Sequence, residues 1–404
     1  MNIDTQYREI LKGVDSVLPG PDALMTKLKS AEKEGRPLRV KLGIDPSGTD
    51  IHVGHTVTLW KLRQFQDLGH QAVLIVGDYT AMLGDPSGRD SVRPQLTHEQ
   101  VLENAESYKR QISRIVDLER AEVVPNGSWF TDFRLSDVIR LGATTTLMRM
   151  LERKDFKERV EEQRPLYIHE LLYPLMQGWD SVEIRADIEL GGTDQVFNIL
   201  KGRDLMELKN QTPQIGIVLP LLIGLDGEKK MGKSMGNYIG LHDQPQDMYG
   251  KVMSIPDKLI LNYWELAVPS TVSEVDRIKS GLTSGELGPM DAKLSLAKRL
   301  TALYHSEESA EAAANHFQRV VRDKAAPDEI PTLTLARPDL PLRLLELTHL
   351  TGEFSSKGAS RRRIQENGVR LNGAIVSDPF AELSPDEGDV LRVSKRSYFR
   401  ISLG

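Results

Sequence analysis

The sequence contains no cysteine. That absence excludes disulfides, thiolate zinc sites and cysteine nucleophiles together, and it suits a reducing compartment. Long apolar runs are missing as well: no stretch offers the ~18 uncharged residues of a membrane span. The first twenty residues, MNIDTQYREILKGVDSVLPG, alternate charges without the apolar core of a secretion signal. A cytoplasmic protein with no membrane span is expected. An overall basic excess is absent too, since the net charge is -6, which does not advertise a chain-wide nucleic-acid footprint. The balance is uneven. Residues 341–404 hold ten Lys or Arg against eight Asp or Glu, a sum of +2 that leaves -8 for residues 1–340. Any contact with nucleic acid is therefore local, and the tail is the first place for it.

What is present is an ordinary globular composition, 39% hydrophobic and 27% charged over 404 residues. The chain is too long for one growing core, so two or three domains are expected. Leu38 to Ile44 reads as a strand, DPSGTDIHVGH as a loop, and Thr56 to Leu68 as a helix with apolar Val57, Leu59, Trp60 and Leu62. The run QAVLIVGD at 71–78 is a continuous apolar strand of the kind covered on both faces in a parallel sheet. Strand, helix, strand in this order is a βαβ unit. Further strands are expected at 121–125, 182–190 and 214–224, with helical patterns between them. The alternation predicts a doubly wound, Rossmann-like parallel-sheet α/β domain with a nucleotide at the carboxyl ends of its strands.

The expected division is an α/β domain over 1–240 with an insertion at about 115–165, and a helical domain over 241–323. A linker with four prolines follows at 324–341, then a small α+β domain over 342–404. Neither an internal repeat nor a low-complexity tract interrupts this plan.

Two motifs carry chemistry. His52-Val53-Gly54-His55 stands between a strand end and a helix start. Two imidazoles there can donate to phosphate oxygens, Gly54 admits a close approach to the backbone, and the helix N-terminus favours anionic phosphate. Alone the pattern stays open, because it also occurs in nucleotidylyltransferases and two histidines can simply cap a helix. Lys230-Met231-Gly232-Lys233-Ser234 follows DGEK in a glycine-flanked loop read as flexible. Two lysines three apart in such a loop can close over a triphosphate and neutralise charge on departing pyrophosphate, or they can form a solvated charge run. The pairing of the two motifs gives them meaning.

HVGH with KMGKS resembles the signature pair of class I aminoacyl-tRNA synthetases. The segments between them are similar in order and spacing to tyrosyl-tRNA synthetases: GDPSG at 84–88, Tyr173-x3-Gln177-x2-Asp180, and Gly191-Gly192-Thr193-Asp194-Gln195. The tail SSKGASRRRIQENGVRLNG is similar to the S4 RNA-binding module that closes bacterial members. The resemblance extends over nearly the whole chain.

The resemblance implies activation of L-tyrosine by ATP, transfer to tRNA(Tyr), magnesium accompanying ATP as substrate, no metal ligated by the protein itself, and a homodimer. It places Asp85, Tyr173 and Gln177 at the tyrosine ammonium, with Thr80 and Gln195 completing that shell. Asp180 would accept the phenolic hydroxyl, with Asn126 of NGSW as an outer neighbour. Asp45, Ser47, His52, Gly54 and His55 would line the ATP site, Gly192 and Asp194 the ribose, and Lys230, Lys233 and Ser234 the pyrophosphate end. His52, His55, Lys230 and Lys233 would be the catalytic set. Arg361, Arg362 and Arg363 would meet tRNA phosphates. The segment Thr144 to Arg164 would lie near the dimer interface and the tRNA acceptor end.

Three positions depart from the pattern. Lys41 stands where many members place a tyrosine on the substrate hydroxyl, so Asp180 needs a different second partner. Gly232 replaces the usual serine, and Asp90 lies where many relatives have a base, with Arg89 and Arg93 beside it. Two rival readings remain. Tryptophanyl-tRNA synthetases share the fold and both signatures, but usually lack the S4 tail and differ at GGTDQ. A non-catalytic RNA-binding paralogue would have no need of His52, His55, Lys230, Lys233, Asp85 and Asp180 together.

Overall fold

The computed structural model describes residues 2–48, 50–87, 96–322, 330–337, 340–394 and 397–404. Arg89, Asp90 and Arg93 lie outside the described residues, as do parts of the expected linker. The chain forms two compact units, Met1–Glu311 and Ala312–Gly404.

In the first unit, six strands make one sheet: β1 (Ser16–Leu18), β2 (Arg39–Ile44), β3 (Gln71–Val76), β4 (Glu122–Pro125), β5 (Ile188–Gly192) and β6 (Ile215–Leu219), in the order β1-β6-β5-β2-β3-β4. β2 to β6 are parallel and β1 runs antiparallel against β6. This is the doubly wound plan expected from the alternation of strands and helices. β3 and β6 are apolar and almost wholly buried, as strands covered on both faces must be. The order reverses between β2 and β5, which bond only through Val40 with Ile188 and Lys41 with Glu189. Their carboxyl ends are therefore free of each other, and a crevice forms where an open α/β sheet binds its ligand.

Helices complete the frame. The Val53–Asp67 helix starts at HVGH and buries Val57, Leu59, Leu62 and Phe65. The Ile168–Ile184 helix carries Tyr173, Gln177, Asp180 and Ser181 at three- and four-residue steps, hence on one face. Its first turn is closed by Glu170, which accepts from the Tyr167 backbone N–H at 2.9 Å, and it ends on Arg185 in the left-handed region at φ 51°. One strand expectation is corrected here. Val182–Ile184 are the last turn of this helix, and β5 begins only at Ile188, because the alternation of VEIR continues a helical apolar face without a break. The helices between Pro245 and Tyr304, in the span expected as a helical domain, belong to the first unit.

The second unit has β7 (Thr332–Leu335), β8 (Leu342–Arg343), β9 (Arg370–Leu371), β10 (Ala374–Ile375), β11 (Glu382–Leu383), β12 (Val390–Arg392) and β13 (Tyr398–Leu403), with helices Leu344–Leu350 and Lys357–Gln365. The sheet order is β10-β9-β12-β13-β7, and β11 pairs with β8. Leu335, Leu344, Leu347, Ile364, Val369, Leu391, Val393 and Ile401 form its core. The proline-rich segment expected as linker thus supplies β7, which pairs in parallel with β13 and buries Leu335. Its TLTL alternation satisfies an edge position that the flanking prolines tolerate. Among the described residues, no helix is long and apolar enough to cross a membrane.

Candidate active site

Asp45 follows β2 directly and reaches into the crevice. Its carboxylate accepts from Thr80 Oγ1 at 2.7 Å and from the Tyr173 hydroxyl at 2.8 Å. Thr80 in turn accepts from Asn126 Nδ2 at 3.1 Å, and Asn126 Nδ2 lies 3.5 Å from both oxygens of Asp180. Trp129 Nε1 donates to Asp180 Oδ1 at 3.1 Å. Burial pushes the Asp180 carboxyl up to about 7, against the pull of Lys41, Trp129 and Asn126. Burial and the Asp45 charge raise Tyr173 well above its ordinary value, so it remains an O–H donor.

A second network lies beside the first. Gln195 Nε2 donates to Asp85 Oδ2 at 2.8 Å, and Asn198 Nδ2 donates to Gln195 Oε1 at 2.8 Å and Gln177 Oε1 at 2.9 Å. Buried Arg153 donates to Ser87 Oγ at 2.6 Å and Asn198 Oδ1 at 3.2 Å, and stands 4.0 Å from Asp85. The seven residues expected around tyrosine (Thr80, Asp85, Asn126, Tyr173, Gln177, Asp180 and Gln195) are therefore joined by these two networks.

The two signature motifs also meet. Val53 N–H donates to Ile239 O at 2.9 Å, and Gly54 N–H donates to Met231 Sδ at 3.2 Å. A Cβ on Gly54 would lie 3.0 Å from the His52 ring and 3.3 Å from Met231 Cβ, so this close approach favours glycine. The His52 and His55 rings stack at 3.7 Å between centroids. Burial and the nearby Lys233 lower His52 to about 4, leaving a neutral imidazole at pH 7. Lys233 stands 3.2 Å from Asp50, and Lys230 stands 3.6 Å from Asp194 on the turn after β5. Gly192 ends β5 beside Asp194, Ser47 lies on the Asp45 loop, and Ser234 is exposed on the Lys233–Met235 turn.

A model of class I tRNA synthetases of the tryptophan and tyrosine type matches residues 33–322. A tyrosine–tRNA ligase of Moorella thermoacetica is 46% identical over 396 residues, covering 98% of this chain and 95% of its own length. That of Haemophilus influenzae is 46% identical over 402 residues, covering 100% and 98%. The chain belongs to this synthetase family. A crystal structure of the Archaeoglobus fulgidus tyrosyl-tRNA synthetase with L-tyrosine is similar at TM-score 0.63 and 25% identity, over 78% of this chain and 100% of that one.

In this family member Lys41 bonds to partners other than Asp180, although its charge acts on that carboxyl. It is fully buried, and its Nζ donates to Glu189 Oε1 at 2.9 Å, Ser181 Oγ at 2.7 Å and Gln177 O at 2.7 Å. Glu189 also accepts from Gln177 Nε2 at 3.1 Å and from Gln214. The neighbours of Asp180 that supply donors are Trp129 and Asn126. Sequence reasoning missed Trp129, Arg153, Asn198 and Glu189. Trp129 was within reach as the fourth letter of NGSW, and Asn198 as one helical turn past Gln195.

Hydrogen bonds from Asn237 cross the loop of the second motif. Buried Asn237 accepts from Gly232 N–H at 2.9 Å and donates to Asp226 at 2.7 Å and Lys230 O at 3.2 Å. Gly232 is extended, and a Cβ there would meet nothing closer than 3.9 Å, so the backbone would accept the serine usual in this family.

A separate cleft of about 480 Å³, lined by Trp60, Lys61, Glu265 and Thr271 among others, includes none of the motif residues. Lys61 there donates to Ile10 O, Lys12 O and Gln64 Oε1, each at 2.8 Å, so its ammonium is already satisfied.

Removing one partner of a buried ion pair costs about 3–5 kcal/mol, whereas removing both in favour of apolar groups is often near neutral. Lys41→Met is therefore expected to lower unfolding free energy by about that amount in urea, and Lys41→Met with Glu189→Leu to recover most of it. A single variant as stable as the parent would show that the pair constrains nothing.

Proposed function

We propose that this chain is a tyrosine–tRNA ligase, forming tyrosyl-adenylate and pyrophosphate from L-tyrosine and MgATP and then passing tyrosine to the 3′ end of tRNA(Tyr). The observation that carries the reading is the pair of networks described above, which converge on one crevice beside both nucleotide motifs. The substrate ammonium would meet Asp85, Tyr173, Gln177, Thr80 and Gln195, because an ammonium leaving water needs a carboxylate and further acceptors. Asp180 would accept the phenolic hydroxyl. Asp45 sits between the two sites, and its bonds to Tyr173 and Thr80 support a role in positioning the tyrosine shell as well as the nucleotide.

The tyrosine carboxylate itself attacks the α-phosphorus; a new C–O–P link forms as the α–β phosphoanhydride bond breaks. The chain's task is to position and to stabilise charge. Neutral His52, together with His55, would donate to phosphate oxygens, Asp194 would take the ribose hydroxyls next to Gly192, and Gly54 would leave room for the adenine. Ser47 would serve the phosphate end with the histidines. Lys230, Lys233 and Ser234 would meet charge on the leaving pyrophosphate. Magnesium enters as part of the substrate. Arg361, Arg362 and Arg363 would contact tRNA backbone. A cytoplasmic site of action follows from the tRNA substrate.

A homodimer fits a further feature. Leu135, Ile139, Leu147, Met148 and Ile168 are 75%, 63%, 59%, 74% and 81% exposed. Large exposed apolar side chains gathered in one segment mark an association surface. Leu135→Asp with Ile168→Asp is expected to give monomers in analytical ultracentrifugation, and an unchanged dimer would move the interface elsewhere.

Pyrophosphate exchange measured across the amino acids is expected to run fastest with L-tyrosine, and preference for tryptophan would sink the assignment. Lys233→Ala should reduce its rate by about 100- to 1,000-fold while tyrosine affinity holds, since charge on the leaving group develops in the transition state. An unchanged rate would make the lysines a solvated pair.

Asp180 sets a pH dependence. Its folded value of about 7 lies above the ordinary 3.8. Between those values the folded chain holds a proton that the unfolded chain has lost, so this group's contribution to stability declines as pH rises through the window. Only the ionised form accepts from the phenol without competing as a donor. Tyrosine binding followed by calorimetry should tighten as pH passes upward through about 7 and release a proton below it. Asp180→Asn should abolish both effects.

A further inference from the structure

The second unit carries a surface feature that the arginine triplet does not explain. Phe380 is 50% exposed and stands outside the apolar core of the unit. Two guanidiniums lie over its ring: Arg361 at 5.3 Å and Arg343 at 5.9 Å from the centroid. The three groups come from separate places, Arg343 from β8, Arg361 from the Lys357–Gln365 helix and Phe380 from the turn before β11. That turn is held firmly. Phe380 N–H donates to Asp378 Oδ1 at 2.9 Å, Ala381 N–H to Asp378 O at 3.2 Å, Leu345 N–H to Pro379 O at 3.0 Å and Leu344 N–H to Ala381 O at 2.9 Å.

A fixed turn keeps the ring in solvent when folding into the core would bury more apolar surface. Two permanent cations beside an aromatic plane suit a flat, electron-rich group with a phosphate on either side. Unpaired nucleobases stack on aromatic rings and on guanidinium planes, and the neighbouring phosphates take the charge. An acidic peptide fits less well, because its carboxylates could pair with the guanidiniums but bring no flat ring to stack on the aromatic face. Asp378 Oδ1 accepts from the Phe380 N–H, Arg363 Nε donates to Val393 O at 3.2 Å, and Arg343 and Arg361 frame the ring.

We propose that Arg343, Phe380 and Arg361 form a stacking platform for one unpaired base of an RNA. It rests on the reading of this unit as RNA-binding and adds a base contact to the phosphate contacts of the triplet. The test uses the full chain and a tRNA transcript with a tyrosine anticodon, with dissociation constants measured over a salt series. Phe380→Leu should weaken binding by about 5- to 150-fold with the salt slope unchanged, because no charge is lost, and Phe380→Trp should restore it. Arg361→Gln should lower the slope by about one unit. Tyrosine-dependent pyrophosphate exchange should be unaffected in Phe380→Leu and Phe380→Trp.

A short hairpin with one unpaired nucleotide should lose affinity on Phe380→Leu, and its fully paired counterpart should not. Parental affinity in Phe380→Leu, equal loss on the paired hairpin, or failure of Phe380→Trp to restore binding would each overturn the platform. So would displacement of a polyglutamate probe that depends on Phe380. If the parent chain showed no salt-dependent tRNA affinity, the RNA-binding reading itself would fall, and the platform with it.

Discussion

The carboxylate of Asp45 is the constraint from which the crevice is built. It joins three elements, the end of β2, the turn after β3 through Thr80, and the Ile168–Ile184 helix through Tyr173. Asp45 is half-buried, and a carboxylate partly withdrawn from water is favoured where hydroxyl donors such as these reach it. The same demand makes Gly77 a glycine: a Cβ there would come within 2.0 Å of Asp45 Oδ1 and 2.2 Å of Thr80 Oγ1. With Thr80 fixed, Asn126 is fixed, and with Asn126 one side of Asp180.

Asp45 and Asp180 illustrate how two carboxylates in one cleft can be given different properties. Asp45 receives two short bonds from hydroxyls. Asp180 has one good donor, Trp129, and two contacts at the 3.5 Å limit from Asn126, which do not balance complete burial. A ligand hydroxyl that completes its shell is favoured, and a ligand lacking one leaves the buried group unsatisfied. In the proposed tyrosine site, discrimination would follow from an incomplete hydrogen-bond inventory.

Contiguous signals were legible in the sequence. The apolar runs marked β3 and β6, the segments HVGH and KMGKS come together, and the seven residues expected around tyrosine fall on the two networks. What was hidden depends on register between distant segments. Lys41 and Glu189 are adjacent only because β2 and β5 pair there, and Arg153 reaches Ser87 only across the insertion. The last turn of the Ile168–Ile184 helix was misread as strand because its apolar spacing fits both periods over so few residues. β7 was concealed by the prolines on either side of it.

Ion pairs serve two purposes in the first unit, and exposure separates them. Lys41–Glu189 has side-chain exposures of 0% and 1%, and Arg159–Glu170 of 3% and 4%. Breaking either strands a charge in a medium that cannot solvate it, so these pairs act as fixed joints beneath the site. Lys230–Asp194 is 42% and 24% exposed, and Lys233–Asp50 is 40% and 50% exposed. The exposed Lys233–Asp50 pair is worth at most about 1 kcal/mol, whereas Asp194 is more buried, and its carboxyl is raised by burial against the pull of Lys230. In the role proposed for it, Lys233 could leave Asp50 for a triphosphate at little cost, while the buried pairs stay closed. On that reading an acidic unit would handle a polyanion by holding an exposed cation on a weak bond.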